Sequence, residues 1–271
     1  MISNIHTHST YCDGKNTLEE MVQTAIANGM EALGFSGHSH SPFDPYCPGM
    51  DPDKVTRYRS EIGRLSEKYG DRIRLYMGIE WDLDSKPDGL DWDYRIGSIH
   101  FMPGNDKYYP IDMDGEGLMT MVKELYHGDI LCMVEDYFRR ELILWDTVHP
   151  DVIGHFDLYR KFNDSLHYLE EQNPKYLSMA KDTLHTLVTR GALFELNLGA
   201  VARGKCKEPY PSVTLLSFLQ QEGARLIITT DCHDASLLTR GYEQAVDLLK
   251  RLGFPSMTVM GKDGFEERPF V

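Results

Sequence analysis

Asn4-Ile5-His6-Thr7-His8-Ser9-Thr10-Tyr11-Cys12-Asp13-Gly14 places two histidines two residues apart and a carboxylate five residues further on. Side chains at i and i+2 share a face on an extended strand and diverge on a helix. An apolar start (Met1, Ile2, Ile5) giving way to polar, Gly-containing chain reads as a strand running out into a loop. Two imidazoles at such a strand end can grip one metal ion, and Asp13 can reach a second. Taken alone, His-x-His is more often two surface histidines beside a turn.

The rest of the chain decides between them, because the arrangement recurs. A short apolar strand at 32–36 runs into Gly37-His38-Ser39-His40. Strands at 74–79, 94–99 and 152–154 are followed by Glu80, His100 and His155. A sixth strand at 193–197 precedes a loop at 199–210, and a seventh at 225–230 precedes Asp231-Cys232-His233. Helices lie between them. Thr17-Leu18-Glu19-Glu20 is a capping box, and Asp51-Pro52 is an N-cap with proline in the first turn. Helical spacing extends over about 116–127, 129–147, 175–190, 212–223 and 236–252, with a polar loop at 103–115 and a tail after 252. Strands alternating with amphipathic helices call for a parallel α/β sheet, and no composition break divides residues 1–271 into more than one domain. In a parallel barrel all strand carboxyl ends meet on one face. Residues far apart in sequence then converge there.

Composition narrows the function. The 271 residues carry 42 acidic and 28 basic side chains, a formal net charge of −14. Duplex nucleic acid and anionic membranes demand clustered Lys and Arg, so neither is an expected partner. The five cysteines are scattered without Cys-x-x-Cys, which fits a reducing compartment. With no basic, apolar leader and no run of about 18 apolar residues, the expectation is a cytoplasmic protein.

The candidate ligands are His6, His8, Asp13, His38, Glu80, His100, His155, Asp231 and His233. Nine such groups, with a carboxylate free to bridge, suit two or three divalent ions, and without thiolate those ions are Zn, Mn or Fe. Three divalent ions over three carboxylates leave about +3, enough to attract a phosphate dianion. Arg160, Arg203 and Lys205 lie in loops expected over the barrel mouth, where a guanidinium can clamp phosphate. His40 belongs near the same place, behind the ligands or on the phosphate. Strand alternation turns Cys12 and Cys232 away, and His127, His149, His167 and His185 fall on helices or their ends. Asp44 and Asp84 are acidic loop residues that could meet a cationic substrate group.

Together these motifs resemble the polymerase-and-histidinol-phosphatase (PHP) superfamily over nearly the full length. Val152-Ile153-Gly154-His155-Phe156-Asp157-Leu158, Arg160-Lys161-Phe162-Asn163, Glu208-Pro209-Tyr210-Pro211 and Thr230-Asp231-Cys232-His233-Asp234-Ala235 resemble its monofunctional histidinol-phosphate phosphatases. The resemblance implies a single distorted (β/α)7 barrel and a trinuclear metal site that hydrolyses L-histidinol phosphate in histidine biosynthesis. It implies one ion on His6, His8, Glu80 and Asp231, a second shared by Glu80 with His100 and His155, and a third on Asp13, His38 and His233. A hydroxide bridging two ions would attack phosphorus in line, Arg160 and Arg203 holding the phosphate and Asp231 or His233 handling protons. The competing readings are a phosphoesterase for a nucleotide or sugar phosphate, a metal-dependent amidohydrolase, and a metal-binding module without catalysis. Oligomeric state is not legible.

Overall fold

The structure, a computed structural model, describes residues 2–270; Met1 and Val271, the first residue of the expected opening strand and the last of the tail, lie outside the described residues. The strands are β1 (Ser3–Asn4), β2 (Ala32–Phe35), β3 (Arg74–Asp82), β4 (Tyr94–Ser98), β5 (Phe101–Gly104), β6 (Lys107–Pro110), β7 (Val152–Ile153), β8 (Leu193–Asn197), β9 (Arg225–Thr229), β10 (Ser256–Gly261) and β11 (Gly264–Pro269). The helices are α1 (Leu18–Ala27), α2 (Pro52–Tyr69), α3 (Gly115–Tyr126), α4 (Ile130–Val148), α5 (Asn163–Leu166), α6 (Pro174–Thr189), α7 (Gly199–Ala202), α8 (Val213–Gln221) and α9 (Tyr242–Leu252).

Nine strands form one sheet in the order β1-β2-β3-β4-β7-β8-β9-β10-β11. All neighbours are parallel except β10 and β11. Beyond the carboxyl ends of β1 and β9 the chain forms a parallel bridge, Thr7 to Cys232. There the His8 N–H donates to the Cys232 carbonyl at 2.9 Å, and the Cys232 N–H to that of His6 at 3.0 Å. The sheet therefore curls until its first and seventh expected strands touch at the end that carries the candidate ligands.

Alternation sorts what lies inside the curl. Along β4, Tyr94, Ile96 and Ser98 share a face, and along β8 so do Leu193, Glu195 and Asn197. The amino-terminal half is apolar: Ile5, Tyr94, Ile96, Val152, Leu193, Ile227 and Met260 form one buried cluster, with Tyr76 and Phe265 against it. The Tyr94 hydroxyl reaches through it to donate to the Phe35 carbonyl at 3.0 Å. Its ring needs Gly78 beside it, since a Cβ there would sit 2.2 Å from the ring. The carboxyl-terminal half is polar, so the apolar plug supports the site from below. Outside, the helices bury their apolar faces on the sheet; Leu18, Met21, Val22 and Ala25 do so for α1. Its start is held by Thr17, whose N–H donates to Glu20 at 2.7 Å and whose hydroxyl accepts from the Glu20 N–H at 3.2 Å.

Four expectations change. The seven-strand count is exceeded, because the tail after 252 supplies β10 and β11, which extend the sheet past β9. The hairpin β5–β6, from Phe101 to Pro110, takes up much of the loop expected at 103–115. Its turn residues, Asn105 and Asp106, both take positive φ (50° and 60°), which matches the right-handed twist of paired strands. Glu80 lies within β3, paired with Ile96 of β4, not beyond the strand end. The helix expected from 236 begins at Tyr242, after a short 3-10 turn at Ala235–Leu237.

Not every buried acid belongs to the site. Glu141 on α4 is 1% exposed, and neither carboxyl oxygen has a hydrogen bond. Burial pushes its carboxyl well above the usual carboxylate range, the neighbouring Tyr137 hydroxyl offsetting only part of this. A raised folded-state pKa means that the native chain holds the proton more tightly than the unfolded chain does. The contribution is thus fully present below the ordinary carboxylate pKa and is lost as pH rises toward the folded-state value. Each pH unit in that window costs about 1.4 kcal/mol, roughly 3–6 °C at 2–4 °C per kcal/mol. Glu141→Gln is expected to remove this slope, so the melting temperatures of variant and wild type should diverge as pH rises above the ordinary carboxylate range, with the wild type falling. Parallel curves would refute the assignment.

Candidate metal centre

The nine candidate ligands meet at the polar end of the curl. Glu80 is central. Its Oε2 lies 3.2 Å from His6 Nε2, 3.4 Å from His8 Nε2 and 3.0 Å from His38 Nδ1. Its Oε1 lies 3.2 Å from His100 Nε2 and 2.9 Å from His155 Nε2. Asp231 Oδ1 approaches His8 Nε2 at 3.3 Å, His233 Nδ1 at 3.4 Å and His6 Nε2 at 3.6 Å. Asp13 faces His233 Nε2 at 3.1 Å, His8 Nδ1 at 3.5 Å and His38 Nε2 at 3.6 Å.

Three compact groups can be drawn from these atoms: His8, Asp13, His38 and His233; His6, His8 and Asp231; and His38, Glu80 and His100. They differ in part from the grouping that resemblance implied. His8 stands in two of them, and His38 joins Glu80 as well as Asp13. His155 touches Glu80 but belongs to none of the three.

Whether a metal suits the site can be judged from its unpaired atoms. His6 Nε2, His8 Nε2 and Glu80 Oε2 are buried, adjacent and without any hydrogen-bond partner. Buried polar atoms in native proteins are normally paired. Two imidazole lone pairs and a carboxylate oxygen converging on one point make a donor set for Zn, Mn or Fe. The residues fit a divalent cation.

Electrostatics agree. Burial opposes the charge on Glu80, but the imidazoles of His6, His38 and His100 outweigh it and hold the carboxyl well below its ordinary range. Asp13 is likewise depressed against its own burial, by His38 and His233. Burial, with His233 and His38 alongside, brings His8 down to about 3, so it is neutral and able to donate its lone pair. Asp231 takes φ 43°, a conformation that residues with a side chain adopt rarely. It packs against Gly199, where a Cβ would come within 2.8 Å of the Asp231 carboxylate.

A group absent from the sequence reading stands behind the ligands. Glu195, fully buried in β8, accepts from His6 Nδ1 at 2.8 Å, the His155 N–H at 2.6 Å, the Thr229 hydroxyl at 2.7 Å and the Asn197 amide at 2.8 Å. With the Nδ1 proton held by Glu195, the Nε2 lone pair of His6 faces Glu80 and Asp231. The signal that could have found it is an acid between Phe194 and Leu196 on the inward parity of a buried strand. Asp82 plays a similar part for His100, accepting its N–H at 3.0 Å and facing its Nδ1 at 3.3 Å.

A cavity of about 420 Å³ opens over these groups. Its wall includes six carboxylates (Asp13, Asp44, Glu80, Asp82, Asp112 and Asp231) against two cationic side chains, Lys161 and Arg203. Arg203 donates to the Asp231 carbonyl at 2.8 Å and faces its carboxylate at 3.3 Å. The expectation that Arg160 hangs over the mouth gives way. Its guanidinium is buried against Asp157 at 3.2 Å and Glu171 at 2.7 Å, and it is not among the lining residues. Lys161, one residue on, lines the cavity, paired with Asp112 at 3.0 Å. Lys205 is exposed and outside it, and His40 turns its Nδ1 to the Pro48 carbonyl at 2.9 Å. Cys12 is closer than alternation suggested, its sulfur 3.5 Å from His8 Nδ1. Asp84 is taken by Arg140.

With this geometry in view, comparison with known proteins is decisive for the family. The sequence pattern of the PHP domain matches residues 4–198. The chain belongs to the PHP domain family. Among curated PHP relatives, the "Probable histidinol-phosphatase" of Schizosaccharomyces pombe is 27% identical, over 96% of this chain and 90% of that protein. The histidinol-phosphatase of Lactococcus lactis is 26% identical, over 92% and 90%. Among solved structures, the L. lactis histidinol phosphate phosphatase complexed with zinc, L-histidinol and phosphate superposes with a TM-score of 0.75 at 18% identity, covering 97% of this chain and 98% of that one. The curled α/β sheet is therefore the PHP fold. No described helix is long and apolar enough to cross a membrane.

Proposed function

We propose that this PHP protein is a metal-dependent phosphomonoesterase that hydrolyses L-histidinol phosphate to L-histidinol and phosphate. The observation that carries the reading is the cavity itself: seven of the nine candidate ligands line it beside Lys161 and Arg203, and the other two, His6 and His8, are buried against Glu80. Full-length similarity to histidinol-phosphatases supports the substrate. The continuous sheet from Ser3 to Pro269 supports one catalytic domain spanning the chain.

Two or three divalent ions (Zn, Mn or Fe) would be held by His6, His8, Asp13, His38, Glu80, His100, His155, Asp231 and His233. Bound there, they supply Lewis acidity to the phosphoryl group and a water of lowered pKa. The chain's own residues do the rest. Six wall carboxylates would repel a phosphate dianion, so the ions are needed to reverse the local sign. Arg203 and Lys161 add donors for the non-bridging oxygens. Asp231 and His233, 3.4 Å apart beneath Arg203, are placed to hold or pass a proton. Glu195 and Asp82 keep His6 and His100 oriented.

Elemental analysis paired with phosphate release from L-histidinol phosphate tests the reading. Chelation should abolish turnover, and Zn, Mn or Fe should restore it. Turnover that survives removal of all bound metal ends the proposal. The two neighbouring cations give a second test. Lys161→Ala is expected to lower kcat/KM by about 10–100-fold through loss of a phosphate contact. Arg160→Ala should act instead on the melting temperature, since it strands the buried Asp157. The reverse pattern would return the phosphate contact to Arg160.

A further inference from the structure

The cavity wall holds a second, unused piece of chemistry. Five of its six carboxylates are accounted for: Asp13, Glu80 and Asp231 stand in the groups that can hold metal, Asp82 faces the His100 imidazole, and Asp112 is paired with Lys161. Asp44 is left. It is 8% exposed, lines the cavity, belongs to no metal-binding group and has no cationic side chain against it among the described residues. Its Oδ1 accepts the Tyr46 N–H at 2.9 Å, which orients the carboxylate without neutralising it. A buried, uncompensated carboxylate is costly unless a counter-charge arrives.

The loop that carries it is anchored. Phe43 stacks on Tyr108 of β6 with ring centroids 3.8 Å apart and meets Phe101 of β5 edge-on at 5.1 Å. The hairpin that sequence reading missed therefore fastens the Asp44 loop across the cavity rim. Such pre-organisation suits a recognition group, whose ordering cost is met before ligand arrives.

The geometry points to Asp44 as the subsite for a cationic group on the organic part of the substrate, a primary ammonium, so that the enzyme selects amino-alcohol phosphates over neutral phosphate esters. This rests on the proposed function and adds to it the residue that reads the amine. The phosphate end is served by ions, Lys161 and Arg203; the ammonium end would complete the charge balance of the wall.

The test compares kcat/KM for L-histidinol phosphate with that for its deamino analogue, the same ester lacking the amine, in metal-loaded wild type and Asp44→Asn. Wild type is expected to prefer the amine-bearing ester by about tenfold or more, chiefly through KM, as a charge-assisted contact provides. In Asp44→Asn that preference should collapse to within about twofold. A wild type without preference, or a variant that keeps it, overturns the inference while the phosphatase reading stands. A wild type that cleaves p-nitrophenyl phosphate but neither imidazole ester overturns the proposed substrate, and this inference with it.

Discussion

Glu80→Gln is expected to lower phosphate release by about a thousandfold or more and to remove at least one equivalent of bound metal, well beyond the 10–100-fold typical of groups behind the ligands. Glu80 faces five imidazoles, from His6, His8, His38, His100 and His155, with its two oxygens shared between them. An amide of the same shape removes the charge with which Glu80 would hold cations on the proposed reading, and it turns an N–H₂ group toward nitrogens that would have to donate lone pairs. The loss should appear in kcat and in metal content by elemental analysis, while the melting curve reports that the chain is still folded. A variant with full metal and a rate within about tenfold of wild type would show that Glu80 is not the bridging ligand.

Glu195→Gln is the second large effect. The carboxylate accepts four hydrogen bonds, and a glutamine oxygen with its attached N–H₂ cannot accept them all. At least two buried donors lose their partner, at about 1–3 kcal/mol each. The melting temperature should therefore fall by several degrees, by roughly 2–4 °C per kcal/mol. Metal affinity and turnover should fall by about 10–100-fold, because His6 no longer holds its proton on Nδ1. The metal titration separates this role from simple packing. Destabilisation with wild-type metal affinity would make Glu195 a structural acid only.

The two residues were not equally legible. Glu80 stands out because it lies at the carboxyl end of an apolar run, two residues before β3 ends, as histidines do near the ends of its neighbours. Glu195 was passed over because it sits inside such a strand, between Phe194 and Leu196, where an acid reads as an interruption. Only the position of His6 across the curl explains it. The hairpin β5–β6 was hidden for a local reason: its turn is Asn105-Asp106 in place of the Gly-containing pair that usually marks such turns. The strands β10 and β11 were hidden because a tail has no following helix to give it a period.

The order of the seven central strands and the helices between them, the placement of an imidazole or carboxylate near six of those strand ends, and the acidic balance followed from sequence alone, because alternation, capping and composition act over a few residues. What tertiary structure decided was pairing. Arg160 and Lys161 are adjacent and both cationic, and sequence reading favoured the first. The fold buries Arg160 against Asp157 and Glu171 and leaves Lys161 to the cavity. Asp44 and Asp84 were likewise equivalent until Arg140 claimed one of them. Charges choose partners by distance through space, falling off as the inverse of separation, and chain position does not contain that distance.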